Sequence, residues 1–123
     1  MKRAAGSMLG LAALSACVAA GGMPTGAASA RPGIQAVSVE GLGFQAEIAP
    51  AGPGMMLTAD GARAVQGLGV RVRRSGVALA MDEGALAKRA ARAGCRAAGG
   101  RFQEVAIGGY DRSGAWVFPG ACA

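Results

Sequence analysis

Residues 82–100 read DEGALAKRAARAGCRAAGG, and their spacing predicts a helix. Asp82 is placed to cap it, Glu83 suits the positive end of the helix dipole, and Gly99-Gly100 stops it. On a wheel of about 100° per residue, Leu86, Ala90, Ala93 and Ala97 fall within about 60° of arc. Ala87, Ala91 and Ala98 widen that apolar face, and Cys95 lies at its edge. Lys88, Arg89, Arg92 and Arg96 fill a separate arc. An alanine-lined face permits close approach, so this helix is expected to lie flat on a sheet.

The flanking segments supply that sheet. In residues 34–50, IQAVSVEGLGFQAEIAP, Val37 and Val39 alternate with Ser38, and Phe44, Ala46 and Ile48 alternate with Gln45 and Glu47. Two half-buried strands follow, joined at Gly41-Leu42-Gly43. Pro50–Gly54 is a loop. Residues 55–65, MMLTADGARAV, carry Asp60-Gly61, a type I′ hairpin signal. A short helix over residues 58–67 competes with that hairpin. Leu68, Val70 and Val72 point one way, and Arg71 and Arg73 the other. Arg74-Ser75-Gly76 then turns the chain, and Val77, Leu79 and Met81 return it as a second hairpin. Beyond the helix, Phe102–Ile107 and Ala115–Phe118 form a third hairpin about Gly108–Gly114. The densest core is expected there, because Phe102, Tyr110, Trp116 and Phe118 are large aromatics. The expected class is α+β: a small antiparallel sheet of β-hairpins with one alanine-rich helix packed on it, in the order strands, helix, two strands.

The amino-terminal residues belong to a different kind of segment. Lys2 and Arg3 precede an apolar run from Met8 to Leu14, then the small residues Ser15 and Ala16. These are the parts of a secretory signal, and the run is well short of the roughly 20 residues that span a bilayer. Leu14-Ser15-Ala16-Cys17 resembles the lipobox of bacterial lipoproteins, a likeness that covers residues 1–18. The resemblance implies a signal peptide over residues 1–16, cleavage before Cys17, and a diacylglycerol on its sulfur. The new amino terminus would usually be acylated as well. Two chains anchor stably, at about 0.8 kcal/mol per buried CH₂. Val18, in place of an aspartate, points the resemblance towards the outer membrane, facing the periplasm. Two alternatives stand beside it: cleavage after Ala28-Ser29-Ala30, far beyond the apolar run, and an uncleaved segment in which Cys17 is a plain apolar residue. Residues 17–33 then read as a flexible, lipid-anchored tether, and residues 34–123 as one small domain.

With Cys17 committed to lipid, Cys95 and Cys122 remain as an even pair in an oxidising compartment. A bridge between them closes a loop worth about 3–4 kcal/mol; two buried free thiols are the alternative. The formal charge is +6, and about +4 without Lys2 and Arg3. For an exported protein this surplus suits anionic lipid headgroups, peptidoglycan or an acidic envelope protein, with no nucleic-acid partner. The chain has no histidine, which excludes Ser–His and Cys–His nucleophile pairs and every His-ligated metal site. No metal or cofactor is expected. Gly41-x-Gly43-x-x-Ala46 matches a dinucleotide fingerprint, but strand-like alternation and Pro50 follow where that motif needs a helix.

Two clusters remain as candidate sites. Tyr110, Asp111 and Arg112, near Trp116, have the residue types of a recognition loop. Against this, Asp-Arg-Ser-Gly is ordinary turn composition and Trp116 suits a core. Lys88, Arg89, Arg92 and Arg96, with Arg101 just beyond, form a basic arc for an anionic surface, or else a solvated helix face. The seven carboxylates show no spacing that marks a catalytic pair, so no catalytic residue is assigned. The expected function is non-enzymatic binding or assembly in the cell envelope; the alternative is a periplasmic enzyme or enzyme inhibitor. Two convergent carboxylates in a cleft would favour the enzyme, and an exposed apolar or basic patch without a cleft the binding module.

Overall fold

In the computed structural model, which describes residues 30–123, the chain opens with two antiparallel strands, β1 (Gly33–Val39) and β2 (Leu42–Ala49). Their turn is Glu40-Gly41, both at positive φ (54° and 78°), as a type I′ turn requires. It lies one residue ahead of the expected junction, and Leu42 and Gly43 belong to β2. The expected signal peptide, Cys17 and the tether up to residue 29 lie outside the described residues. Ala30 is buried and the Arg31 N–H donates to the Ala98 carbonyl at 2.9 Å, so the packed domain begins ahead of residue 34.

Residues 54–65 form a hairpin, β3 (Gly54–Thr58) and β4 (Gly61–Val65), not a helix. The two turn residues are Ala59-Asp60 instead of Asp60-Gly61. The Thr58 hydroxyl accepts the Asp60 N–H at 3.2 Å and donates to the Gly61 carbonyl at 2.8 Å, which sets that register. β5 (Leu68–Arg74) follows, and it does not pair with residues 77–81. Both of its edges are already occupied, by β2 and by β7 (Ala115–Cys122). β6 (Gly109–Asp111) completes an antiparallel sheet of order β1-β2-β5-β7-β6, beside the separate β3-β4 ribbon. Residues 102–107 make only two isolated bridges, Phe102 to Cys122 and Ala106 to Met56. The expected third hairpin therefore has a different first arm: β6 lies within the expected turn Gly108–Gly114, and Phe102–Ile107 is not a strand.

The helix α1 (Gly84–Ala97) lies between β5 and β6 in the chain and packs across β1, β2, β5 and β7. The architecture is thus α+β, mostly antiparallel sheet with one short helix. Directly opposed residues share a face, so Phe44, Ala46 and Ile48 join Val70, Val72 and Phe118 beneath the helix. Gln45, Glu47, Arg71 and Arg73 lie on the opposite face. The buried residues of α1 are Ala87, Ala90, Ala91, Gly94 and Cys95. All but Gly94 belong to the expected apolar face, whose centre is shifted by about 50° away from Leu86 and Ala93, and Ala97 is exposed. Gly94 explains the shift. A Cβ there would stand 2.3 Å from the Ala46 Cβ, so the helix rests its glycine, not its leucine, on β2.

Both helix ends differ in kind. Asp82 is exposed and makes no cap; Glu83 occupies the N-cap position without a side-chain cap bond. At the other end Gly99 adopts φ +86°, its N–H donates to the Arg96 carbonyl, and the Gly100 N–H donates to the Cys95 carbonyl, each at 2.9 Å. These two bonds make a Schellman motif, and the left-handed residue it demands is the expected stop glycine. Cys95 and Cys122 are bonded at 2.06 Å, with Cα atoms 5.6 Å apart, which ties the helix to the end of β7. The largest fully buried side chains are Phe44, Ile48, Leu79, Val70 and Val72. The core thus centres under the helix instead of in the aromatic tail, although Phe102 and Phe118 are buried and meet edge to face at 6.2 Å.

Candidate functional site

Tyr110 and Trp116 face each other across β6 and β7, ring centroids 5.8 Å apart. Their polar atoms are turned inward to the chain itself. The Tyr110 hydroxyl donates to the Leu79 carbonyl at 2.8 Å, and Trp116 Nε1 donates to the Ala80 carbonyl at 3.1 Å. Arg74 does the same for the two preceding residues, Nε to Val77 O at 3.1 Å and Nη2 to Ala78 O at 3.0 Å. Four successive carbonyls are thus satisfied by side chains. This is why residues 77–81 need no strand partner: a backbone acceptor needs a donor, and here three side chains supply them. Leu79, fully buried, pins the segment, while Val77 and Met81 stay exposed.

Arg74 also grips both oxygens of Glu83, at 2.8 and 3.0 Å, and Glu83 Oε1 accepts the Ala80 N–H at 2.8 Å. The Arg74 bond, then the Ala80 N–H, hold the Glu83 carboxyl below its usual range. Asp111 accepts the Ser113 N–H at 3.1 Å and pairs with Arg71, which also donates to Ser113 Oγ at 3.1 Å. The Ser113 N–H first, and Arg71 second, lower the Asp111 pKa. The candidate recognition cluster is therefore brought together on one hairpin, but Tyr110, Asp111 and Trp116 are spent on the fold. Arg112 is exposed and makes no ion pair among the described residues.

The basic arc is divided in the same way. Arg92 reaches Glu104 with two bonds of 2.7 Å, which lower the Glu104 pKa, and Arg89 pairs with Glu40 at 2.6 Å. Lys88 and Arg96 make no ion pair among the described residues.

The surface that offers room adjoins the first of these clusters, with Tyr110, Asp111 and Arg112 in its lining. A shallow depression of about 680 Å³ runs along β6 between Tyr110, Arg112, Val117 and Pro119. A second, of about 500 Å³, lies between the β3-β4 ribbon and the same sheet, walled by Pro53, Met55, Ala64 and Arg63. Ile107 and Pro119 line both, so the two form one trough. Proline has no N–H, and β7 has no ladder partner on that side at Pro119. Met55 and Ile107 are 50% and 43% exposed, large values for apolar side chains whose backbones are joined, the Ile107 N–H donating to the Met55 carbonyl at 2.9 Å. Asp111 is the one carboxylate in the lining. Sequence reading singled out Tyr110, Asp111 and Arg112 in its lining but missed Ile107, Pro119 and the β3-β4 wall, because these come from distant segments. Pro119 inside a strand was the available signal.

Among the described residues no group of three or more His, Cys, Asp or Glu is placed to hold a metal ion. No described helix is long and apolar enough to cross a membrane. No protein family, curated protein or solved structure matches the chain.

Proposed function

We propose that the chain is a lipid-anchored protein of a bacterial cell envelope, held through an acylated Cys17 on the periplasmic side of the outer membrane. Its domain binds or assembles with an envelope protein through the trough at Ile107 and Pro119. The trough carries this reading. It is apolar, exposed and contiguous, as interaction surfaces are, and its rim bears Arg63 and Arg112. A glycosidase-type site needs two carboxylates facing one cleft, whereas the lining holds Asp111 alone, already bound to Arg71. This favours the binding module over a periplasmic enzyme or inhibitor. An apolar floor also suits a protein segment better than the polar sugars of peptidoglycan.

A photo-crosslinking residue at position 107, in cells carrying the full chain, tests the reading. A discrete protein adduct is expected from position 107, lost when Met55→Glu charges the trough wall, and absent from Ala36 on the exposed edge strand. Equal labelling from both positions, or none from 107, would remove it.

A further inference from the structure

Three of the six described cations that make no ion pair gather where the chain enters the domain. The Arg31 backbone is fixed to Ala98, and its Nη1 lies 3.2 Å from where a Gly99 Cβ would stand. Ala30 packs on Gly100 beside the Cys122 sulfur. Arg101 comes next in the chain, tied to Ala123 by bonds of 2.8 and 2.9 Å, and Arg96 occupies the last turn of α1. Arg31, Arg96 and Arg101 are exposed, and none is in an ion pair among the described residues. Glu104, the carboxylate that Arg96 and Lys88 act on through space, is already held by both oxygens on Arg92.

We infer that this end of the molecule, the three guanidinium groups around the C-terminal turn of α1, rests on the anionic phosphates of the bilayer to which the chain is tethered. The inference rests on the Cys17 anchor proposed above. From Cys17 to Ala30 the chain spans at most about 45 Å when taut and about 20 Å as a coil. Attraction between an arginine and an anionic surface fades over a Debye length of about 8 Å, so the end nearest the tether is the one held in range most of the time. Confinement on such a short tether makes even weak contacts count, because the effective concentration of headgroups is high. The opposite end of the sheet, at Ser75 and the β1-β2 turn, holds two unpaired cations of its own, Arg73 and Arg112, but stands the length of β1 away from Ala30. The arc on α1 is thus split: Arg89 and Arg92 serve the fold, and Arg96 joins Arg31 and Arg101 at the membrane.

The test uses the lipidated chain on vesicles of phosphatidylcholine alone, or with a third of phosphatidylglycerol, each containing a lipid-borne quencher. A fluorescent residue is placed at Ala97 or at Ser75, both exposed. Quenching at Ala97 should exceed that at Ser75 several-fold on the anionic vesicles. High salt, or combined Arg31→Gln, Arg96→Gln and Arg101→Gln, should abolish the difference. Should the triple variant unfold, Arg101→Gln alone, outside the helix, gives the same comparison with a smaller loss. Equal quenching at the two positions, or a difference indifferent to lipid charge, overturns the inference. Flotation with neutral vesicles reads the anchor separately. A chain that fails to float there overturns the anchor, and the patch then stands only if anionic vesicles carry the chain through the same three arginines.

Discussion

At the residue scale, two positions show how local rules and tertiary demands compete. Gly94 weakens a helix by about 1 kcal/mol relative to alanine. It is kept from being an ordinary helix defect by the Ala46 Cβ, which occupies the space a side chain would take. Gly94→Ala should therefore lower stability despite its better helix propensity, by about 1–3 kcal/mol for an overpacked contact. Thermal melting checks this, and an unchanged or raised Tm would mean that helix and sheet part easily. Glu40 is the converse case. It holds φ at 54°, a conformation that costs a non-glycine residue about 1–2 kcal/mol, and its Arg89 partner is an exposed pair of small worth. Glu40→Asn should raise stability by about 1 kcal/mol, because asparagine favours the first position of a type I′ turn. A lower denaturation midpoint would show that the Arg89 bridge outweighs the backbone strain.

At the scale of elements, the helix was legible because its apolar spacing, its stop glycines and its cation arc agree with one another. Its rotation was not, because a hydrophobicity wheel gives Gly94 no weight, and close contact at a glycine is what decides the face. Strands β1, β2 and β5 were legible from alternation. The segment 77–81 has the same alternation and is not a strand, since β2 and β7 had already claimed the edges of β5. Sequence periodicity records which side is buried but not whether an edge is vacant. The cluster Tyr110, Asp111, Arg112 and Trp116 was found for its residue types, and geometry gives three of the four to the fold. Tyr110→Phe should cost about 1 kcal/mol by leaving the Leu79 carbonyl unpaired, and Trp116→Phe less, because the Ala80 carbonyl keeps the Glu83 N–H. Hydrogen exchange should then speed up at Leu79 and Ala80, whose N–H groups bond to Gly114 and Glu83, ahead of the strands. Uniform acceleration across the domain would show instead that the segment is part of the cooperative core.

At the scale of the whole molecule, five of the seven acids are paired with arginines of the chain itself. Glu83, Glu104 and Asp111 each have a lowered pKa in the folded state. A depressed folded pKa adds stability above the ordinary carboxylate range and loses it as pH falls through the folded value. Urea midpoints should thus be level from pH 7 to about pH 5 and fall below about pH 4. Equal stability at pH 7 and well below pH 4 would mean that these pairs contribute nothing. The disulfide adds about 3–4 kcal/mol by closing its loop, and it is the link that joins the thiol pairing to the address of the chain. If Cys95 and Cys122 are joined, Cys17 is the remaining cysteine, and an oxidising compartment with a lipid on its sulfur would account for all three. Intact mass of the native product, made from the full chain in a bacterial envelope, tests this most directly. The account predicts a polypeptide beginning at Cys17, heavier by its acyl groups, that gains two hydrogens on reduction. A product that begins at Met1 or at Arg31, with no acyl mass, would contradict it.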